Sequence, residues 1–367
     1  MCGTLCGSEG LCRRTLICSV RGTWATGISV MLCPRGAGSA DAGVGAADQE
    51  TASGEGTFWG LSCVIKFPVD MTYSPYSIVA AGTTLPPQRI CMPFSLIVQG
   101  DNSSNDIIPG WVLQSSPYTI SRSEKKFATR RKAKRHDDYT GWKIFRPEIM
   151  EMCRWARNQL VTCGDKGIGS NNLSDRARNA GIKAYRDCLQ RYALHGLLSW
   201  ILQNAPAEKE RADIVNLIHD ELLGREVQPL PSLFNPIENV EWPTFPWDNQ
   251  KKAVIGIDNE WEYQRSLLLE EFPFNNANIS SWFENLFQNL ITLENDFAHR
   301  IHKCKSRDDS RGAATIPGYS QAHVPADMDP VIVDAKRRAS HVETTVSKLL
   351  ESLSSSSSLS SNTRGRL

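Results

Sequence analysis

Apolar residues recur at every sixth position from Leu61 to Ile97: Leu61, Phe67, Tyr73, Val79, Leu85, Cys91 and Ile97. A period of six is too long for one helix face and does not match the alternation of a flat strand. It predicts a coil of short strands in which each edge turns one side chain inward. The clearest edge is Ser77-Ile78-Val79-Ala80-Ala81-Gly82-Thr83-Thr84, with Val79 inward and small residues where the turn is tight. The alternative reading of this stretch is a proline-containing loop with two ordinary strands.

The pattern then changes. Residues 98–120 are polar and turn-rich, with Gly100-Asp101-Asn102 as a turn signal. Pro109 and Pro117 exclude a central strand there. With Trp111, Val112 and Tyr118 as anchors, this segment reads as an extended strap that leaves the coil and caps its open end. From Pro147 the period becomes 3.6 residues. One helix runs from Pro147 towards Gly164, with Ile149, Met152, Cys153, Ala156, Leu160 and Cys163 on one face. A second runs from Ser174, a good cap, to about Gln203, and is apolar nearly all round from Ala184 to Leu202. A third follows Asn204, has Pro206 in its first turn, lines one face with Ile214, Val215, Ile218 and Leu222, and stops at Gly224.

Residues 225–275 are rich in Pro and Trp and read as an irregular arm, anchored by Leu233, Phe234, Trp242, Phe245 and Trp247. Stacking of sugars or bases on these aromatics is the alternative. Ile279–Cys304 is helical, with Phe283, Leu286, Leu290, Leu293 and Phe297 at alternating spacings of three and four. A polar linker is expected over 305–328. The last helix begins at Asp329-Pro330, and Ile332, Ala335, Ala339, Val342, Val346, Leu349 and Leu353 repeat at the same spacings. That seam fits the Phe283–Phe297 helix of the same chain or a second copy. A serine-rich tail closes the sequence.

Composition narrows the function classes. The chain has 367 residues, 41 basic and 40 acidic, so no global charge draws it to nucleic acid or an anionic membrane. It contains no run of 18 apolar residues, and a transmembrane helix is not expected. Of eleven cysteines, Cys2, Cys6, Cys12, Cys18 and Cys33 precede residue 34, and Cys63, Cys91, Cys153, Cys163, Cys188 and Cys304 are scattered. No C-x-x-C pair occurs, which favours reduced thiols and an intracellular, cytoplasmic compartment. Residues 1–56 are rich in Gly, Ala, Ser and Cys and read as a disordered tail. An organellar transit peptide is the alternative, although a clean amphipathic Arg face is missing.

The one strong charge feature lies between Arg122 and Arg135. Arg122, Lys125, Lys126, Arg130, Arg131, Lys132, Lys134 and Arg135 stand there against the single acid Glu124. They are the candidate anion site, for a phosphorylated small ligand, a nucleotide sugar or RNA. The alternatives are a solvated basic segment answered by Asp137, Asp138 and Glu148, and a nuclear-localisation signal. His195, His219, Asp165, Asp187 and Asp220 read as structural residues of the helices. His299 and His302, with Cys304 nearby, fall off the apolar seam and read as exposed, so no metal is assigned. Within Phe58–Ile97 the only charged residues are Lys66, Asp70 and Arg89, which leaves Lys66, beside Phe67, as the weak catalytic candidate.

The runs GTFWGLSCVIK, YSIVAAGTTLPPQRI, MPFSLI and IIPGWVLQSSPYTISRSEKKFATR, over about residues 56–225, resemble a family of large left-handed β-helix proteins. That family belongs to the hexapeptide-repeat superfamily of acyltransferases and sugar nucleotidyltransferase-like proteins. Its pattern is matched by Pro93-Phe94-Ser95-Leu96-Ile97, Pro109-Gly110-Trp111 and the basic stretch Arg122–Arg135. The resemblance implies an α+β chain: a short left-handed β-helix remnant of the last two or three coils, then a mainly α-helical C-terminal region, with disordered termini. The organisation expected is a tail over 1–56, coils over 57–100, strap and basic segment over 101–146, and a helical domain over 147–304 with its arm at 225–275. A linker at 305–328, a heptad helix at 329–353 and a tail at 354–367 follow.

Two departures bear on activity. The family carries many coils where this chain has room for two or three. No histidine precedes His136, so the coils hold no general base of the superfamily's kind, and no Gly-rich phosphate loop or GxxxxGK[ST] is present. The expectation is therefore a transferase-like protein of unknown substrate that is not catalytic in this form. The alternatives are a non-enzymatic scaffold or interaction module, and an RNA-associated protein using residues 122–135. No cofactor and no membrane are expected, nucleic acid is the least favoured partner, and self-association through the β-helix or the terminal heptads is open.

Overall fold

The computed structural model describes residues 51–101, 104–130, 143–162, 166–204, 211–225, 260–274 and 278–354. The readings of the first fifty residues, of the arm between 226 and 259 and of the serine tail beyond 354 lie outside them. In chain order the elements are β1 (Thr51–Ala52), β2 (Phe58–Trp59), β3 (Val64–Ile65), β4 (Val69–Asp70), β5 (Ile78–Val79), β6 (Thr84–Leu85), β7 (Gln88–Arg89), β8 (Leu96–Gln99) and β9 (Asn105–Ile108). Then come α1 (Trp111–Ser115), α2 (Pro117–Arg130), α3 (Pro147–Val161), β10 (Asn171–Asn172), α4 (Asp175–Asn204), α5 (Arg211–Leu222), α6 (Glu260–Glu271), α7 (Ile279–Thr315), α8 (Tyr319–Ala322) and α9 (Pro330–Ser354). The class is α+β. The described residues form two compact units: one through Gln114 plus Glu148–Arg186, the other Ser115–Pro147 plus the described residues from Asp187 on.

In the first unit most strands are two residues long, too short to persist alone, so lateral pairing must hold them. β1, β4 and β7 form one parallel ladder, β2, β5 and β8 a second, β3 and β6 a third. Each strand pairs with the third strand after it, so the chain makes three successive passes, β1–β3, β4–β6 and β7–β8. Trp59, Val79 and Ile97 are register partners in the second ladder, and all three are buried. Of the six-spaced positions, Tyr73, Val79, Leu85, Cys91 and Ile97 are in the core, whereas Leu61 and Phe67 are 44% and 42% exposed. Register is the reason. Trp59 to Val79 is twenty residues and Val79 to Ile97 eighteen, so the first pass turns Trp59 inward and sets Leu61 and Phe67 on the outside.

The passes superimpose because they turn at matching corners. Gly56, Ser62, Tyr76, Gly82 and Phe94 all have φ between +55° and +74°, and each sits two residues before a strand. Left-handed backbone at an aromatic costs on the order of 1–3 kcal/mol and persists only where its surroundings over-determine it. Here Pro75 and Pro93 precede the two aromatics and supply the φ of a turn's first central residue. The Tyr76 and Phe94 rings then stack, with centroids 5.4 Å apart and planes 13° apart. Gly56 has the same place in the first pass, where a Cβ would come within 2.4 Å of the Tyr76 ring. Two buried serines join the second pass to the third. Ser74 Oγ donates to the Ile90 carbonyl (2.7 Å) and accepts the Met92 amide (2.9 Å); Ser77 Oγ donates to the Met92 carbonyl (3.1 Å) and accepts the Ser95 amide (3.0 Å).

The expected strap is not extended. β9 pairs antiparallel with β8, and after Gly110 (φ +65°) the chain is helical through α1 and α2. Pro117 does exclude a strand, but as the first residue of α2 it loses no hydrogen bond, since helix-start amides are unpaired in any case. The segment after α3 lies against the third pass instead. Gly167 accepts the Cys91 amide (2.7 Å), Gln88 Oε1 accepts the Ser170 amide (3.0 Å) and Asn171 Nδ2 (2.9 Å), and β10 pairs with β9. Tyr185 of α4 donates its hydroxyl to the Pro93 carbonyl at 2.7 Å.

In the second unit α7 packs on α9, and of the two expected seams Phe297 of one meets Ile332, Ala335 and Ala339 of the other, so the terminal seam meets the same chain. Phe297, Ala298 and Ile301 cluster with Val331, Ile332, Ala335 and Ala339. Asn278 Oδ1 caps α7 by accepting the Ser280 amide (2.9 Å), and Asp329 Oδ1 accepts the Val331 amide (2.8 Å) ahead of α9. Two expectations fail here. The span 305–328 is no linker, because α7 continues to Thr315 and α8 follows. The arm region ends in a helix, α6, whose Tyr263, Leu267 and Leu268 are buried. The reason for α6 lies in Arg265, 1% exposed, which donates to the carbonyls of Glu221 (2.6 Å), Leu222 (3.1 Å) and Arg225 (2.8 Å) and so satisfies the end of α5.

Val79→Asp places a carboxylate where the side chain has no access to water, at a cost of several kcal/mol. The first unit is expected to lose its cooperative melting transition, and a melt indistinguishable from wild type would refute the inward assignment. Deleting residues 330–367 uncovers the buried Phe297–Ile301 face of α7. Aggregation or a large loss of thermal stability is expected, and a soluble truncation with an unchanged melt would refute the seam.

Candidate functional site

The candidate anion site is only partly within the described residues. Arg131, Lys132, Lys134 and Arg135 lie outside them, and Arg130 is described only as the last residue of α2. Arg122, Lys125 and Lys126 stand on α2, and Lys125 runs into an acid. Lys125 Nζ bonds Asp334 Oδ2 of α9 at 2.5 Å and the Pro330 carbonyl at 3.0 Å. Tyr118, one turn before Arg122, donates to Asp329 Oδ2 (2.9 Å). Glu124 accepts the Ile144 amide at 3.3 Å, and loss of water pushes its carboxyl above the ordinary value. Where α2 is described, Lys125 and Tyr118 tie it to α9 and to the residue before it.

A second group of charges is buried deeper. Cys188, Arg191 and His195 recur at three- and four-residue spacing along α4. Arg191 Nε donates to Glu294 Oε2 of α7 at 2.5 Å, and His195 Nε2 lies 3.0 Å from the same oxygen. The Arg191 guanidinium stands over the rings of Phe297 (4.2 Å to the centroid) and Phe145 (5.5 Å). Burial by itself would raise the Glu294 carboxyl. Arg191 first, and His195 after it, outweigh that and hold it well below the usual carboxylate range. Desolvation pushes the neighbouring Cys188 thiol up to about 12, against the pull of Arg191 and Arg300. This is an ion pair that locks two helices.

The sequence reading took His195 as structural and passed over Glu294. The signal was present: Glu294 is four residues after Leu290 and three before Phe297, on the apolar face of its helix. The remaining candidates are dispersed. Lys66 and its neighbour Phe67 are both exposed, so Phe67 does not remove the ammonium from water. His219 stands beside Asp220, His299 is exposed, and His302 Nε2 pairs with Asp327 at 3.0 Å. Among the described residues no three His, Cys, Asp or Glu side chains form a metal-ligand group, and no helix is long and apolar enough to cross a membrane.

Exposed large apolar side chains recur along the first pass. Phe58 (54% exposed), Leu61, Val64 (52%) and Phe67 face out within ten residues, around β2 and β3. Both strands are terminal in their ladders among the described residues. The amides of Phe58 and Gly60 donate to Ser77 and Val79 of the second pass, so by the strand's alternation the Trp59 backbone points to the other side. Val64 and Lys66 donate to Thr83 and Leu85 in the same way, which turns the Ile65 backbone outward. An edge of this kind is a template for strand addition, and lysine is a common device for blunting it; Lys66 is the single charge from Gly56 to Phe67. Comparison with known protein families, curated proteins and solved structures yields no match.

Glu294→Gln removes one charge of the buried pair and leaves Arg191 uncompensated, a loss of about 3–5 kcal/mol. The sign of the pH dependence follows from the depressed carboxyl. The stabilisation is fully present above the unfolded-state value near about 4.3 and is lost as pH falls below it. Melting temperatures of wild type and Glu294→Gln are expected to differ most at neutral pH and to draw together in acid. A gap that stays constant down to strongly acidic pH would refute the pairing.

Proposed function

We propose that the chain is a non-catalytic scaffold. Its three passes are coils of a short left-handed β-helix, followed along the chain by a helical domain, and its role is to hold another polypeptide against the first coil. The support for the fold is the repeated parallel pairing of every third strand, the left-handed corners and the inward column Trp59–Val79–Ile97. The sequence resemblance supplies the handedness. The observation that carries the function is the exposed Phe58–Phe67 face beside two strand edges, because apolar groups concentrated next to unpaired backbone mark a binding surface.

The transferase reading has less support. Transfer to a hydroxyl or amine needs a base near the reacting proton and donors for the developing oxyanion. Lys66, the candidate base, lies in open water. Lys125 of the basic segment is already paired with Asp334.

The purified chain is expected to bind the apolar dye anilinonaphthalene sulfonate at the first coil. Most of that fluorescence should disappear in Phe58→Ser/Val64→Ser with the melting temperature kept. Dye binding unaffected by the double substitution would remove the basis for the scaffold reading. Steady turnover of any acyl-CoA or nucleotide sugar, abolished by Lys66→Ala, would replace it with the transferase.

A further inference from the structure

Resting on that reading, we propose that the occupant of the first-coil surface is a second copy of this chain, joined edge to edge through β2 and β3 about a two-fold axis. The first reason is geometric. The open edge is not one long strand but two two-residue strands separated by the corner at Leu61-Ser62, where Ser62 has φ +59°. A single extended peptide follows one straight edge and would leave the other unpaired. A partner that engages both must itself carry two short strands joined by the same corner. The first coil of another copy has that shape, and a two-fold axis through the corner sets β2 of each copy antiparallel to β3 of the other, so the Trp59 backbone of one copy meets the Ile65 backbone of the other.

The second reason is electrostatic. From Gly56 to Phe67 the surface carries Lys66 as its only charge. There is no field to select an oppositely charged partner, and no array of like charges to hold two copies apart. One lysine per copy, on a four-carbon stem, swings clear of the axis more readily than a row of charges would.

The experiment is sedimentation equilibrium of the full 367-residue chain, from about 1 to 100 μM, the range in which a micromolar Kd is read. A monomer–dimer equilibrium is expected. Phe58→Lys/Val64→Lys sets like charges across the axis and should weaken it at least tenfold. Both residues are exposed, so the fold should survive, and an unchanged melt checks this; Leu61→Glu at the corner is the second variant should the first fail to fold. A chain monomeric at every concentration overturns the proposal. So does a dimer indifferent to both variants, which would place the interface elsewhere, for example on the helical unit. The scaffold reading fails differently. A monomer that still binds dye at Phe58 and Val64 leaves the surface in place and rules out only the second copy.

Discussion

The first unit depends on its corners. Strands of two residues cannot hold themselves, and three ladders stay in line only if every pass turns at the same place. The left-handed residues two positions before the strands enforce this. At Tyr76 and Phe94 the strained backbone is retained because the rings stack on each other and the prolines before them fix the entry to the turn. At Gly56 the side chain is absent because the Tyr76 ring occupies the space. Ser74 and Ser77 complete the constraint by giving carbonyls and amides of the third pass a partner inside the core, where an unpaired group would cost about 1–3 kcal/mol. The ladder hydrogen bonds follow from that alignment.

The second unit relies on a different device. Its apolar seams bring α7 and α9 together, but a seam of Phe, Leu, Ala and Val can slide by a turn with little penalty. Charged groups paired at single points remove that freedom. Arg191 between two aromatic rings reaches Glu294 of α7, Lys125 of α2 reaches Asp334 of α9, and Arg265 closes the end of α5. Each guanidinium or ammonium has one productive position, so each pair sets a register that hydrophobic contact leaves loose. Such pairs specify packing more than they add stability, since desolvation offsets much of their attraction.

Among the described residues the charges differ in what they do. Arg191, Lys125 and Arg265 each tie one helix to another, whereas Lys66 and His299 are exposed and His219 stands beside Asp220 of its own helix. Phe58 and Val64 are exposed on strands at the end of the parallel ladders.

The sequence by itself determined the inward column at Val79, Leu85, Cys91 and Ile97, the α+β class, the caps at Ser174 and Asp329 and the periodic apolar faces of α7 and α9. These follow from periodicity and from local capping, which act over a few residues. It did not determine the first pass, where two additional residues shift Trp59 inward and Phe67 outward, because a count along the chain is blind to a change in the length of one circuit. Nor did it determine that residues 111–130 are helical, that α7 runs on to Thr315, or that α6 exists. There the local signals were prolines and polar residues, and the deciding contacts come from far along the chain: Asp334 on Lys125 and the α5 carbonyls on Arg265. Glu294 shows the same limit. Its place on an apolar helix face was visible, but its partners on another helix, and the charge they allow it to keep, are set only when tertiary packing removes the water between them.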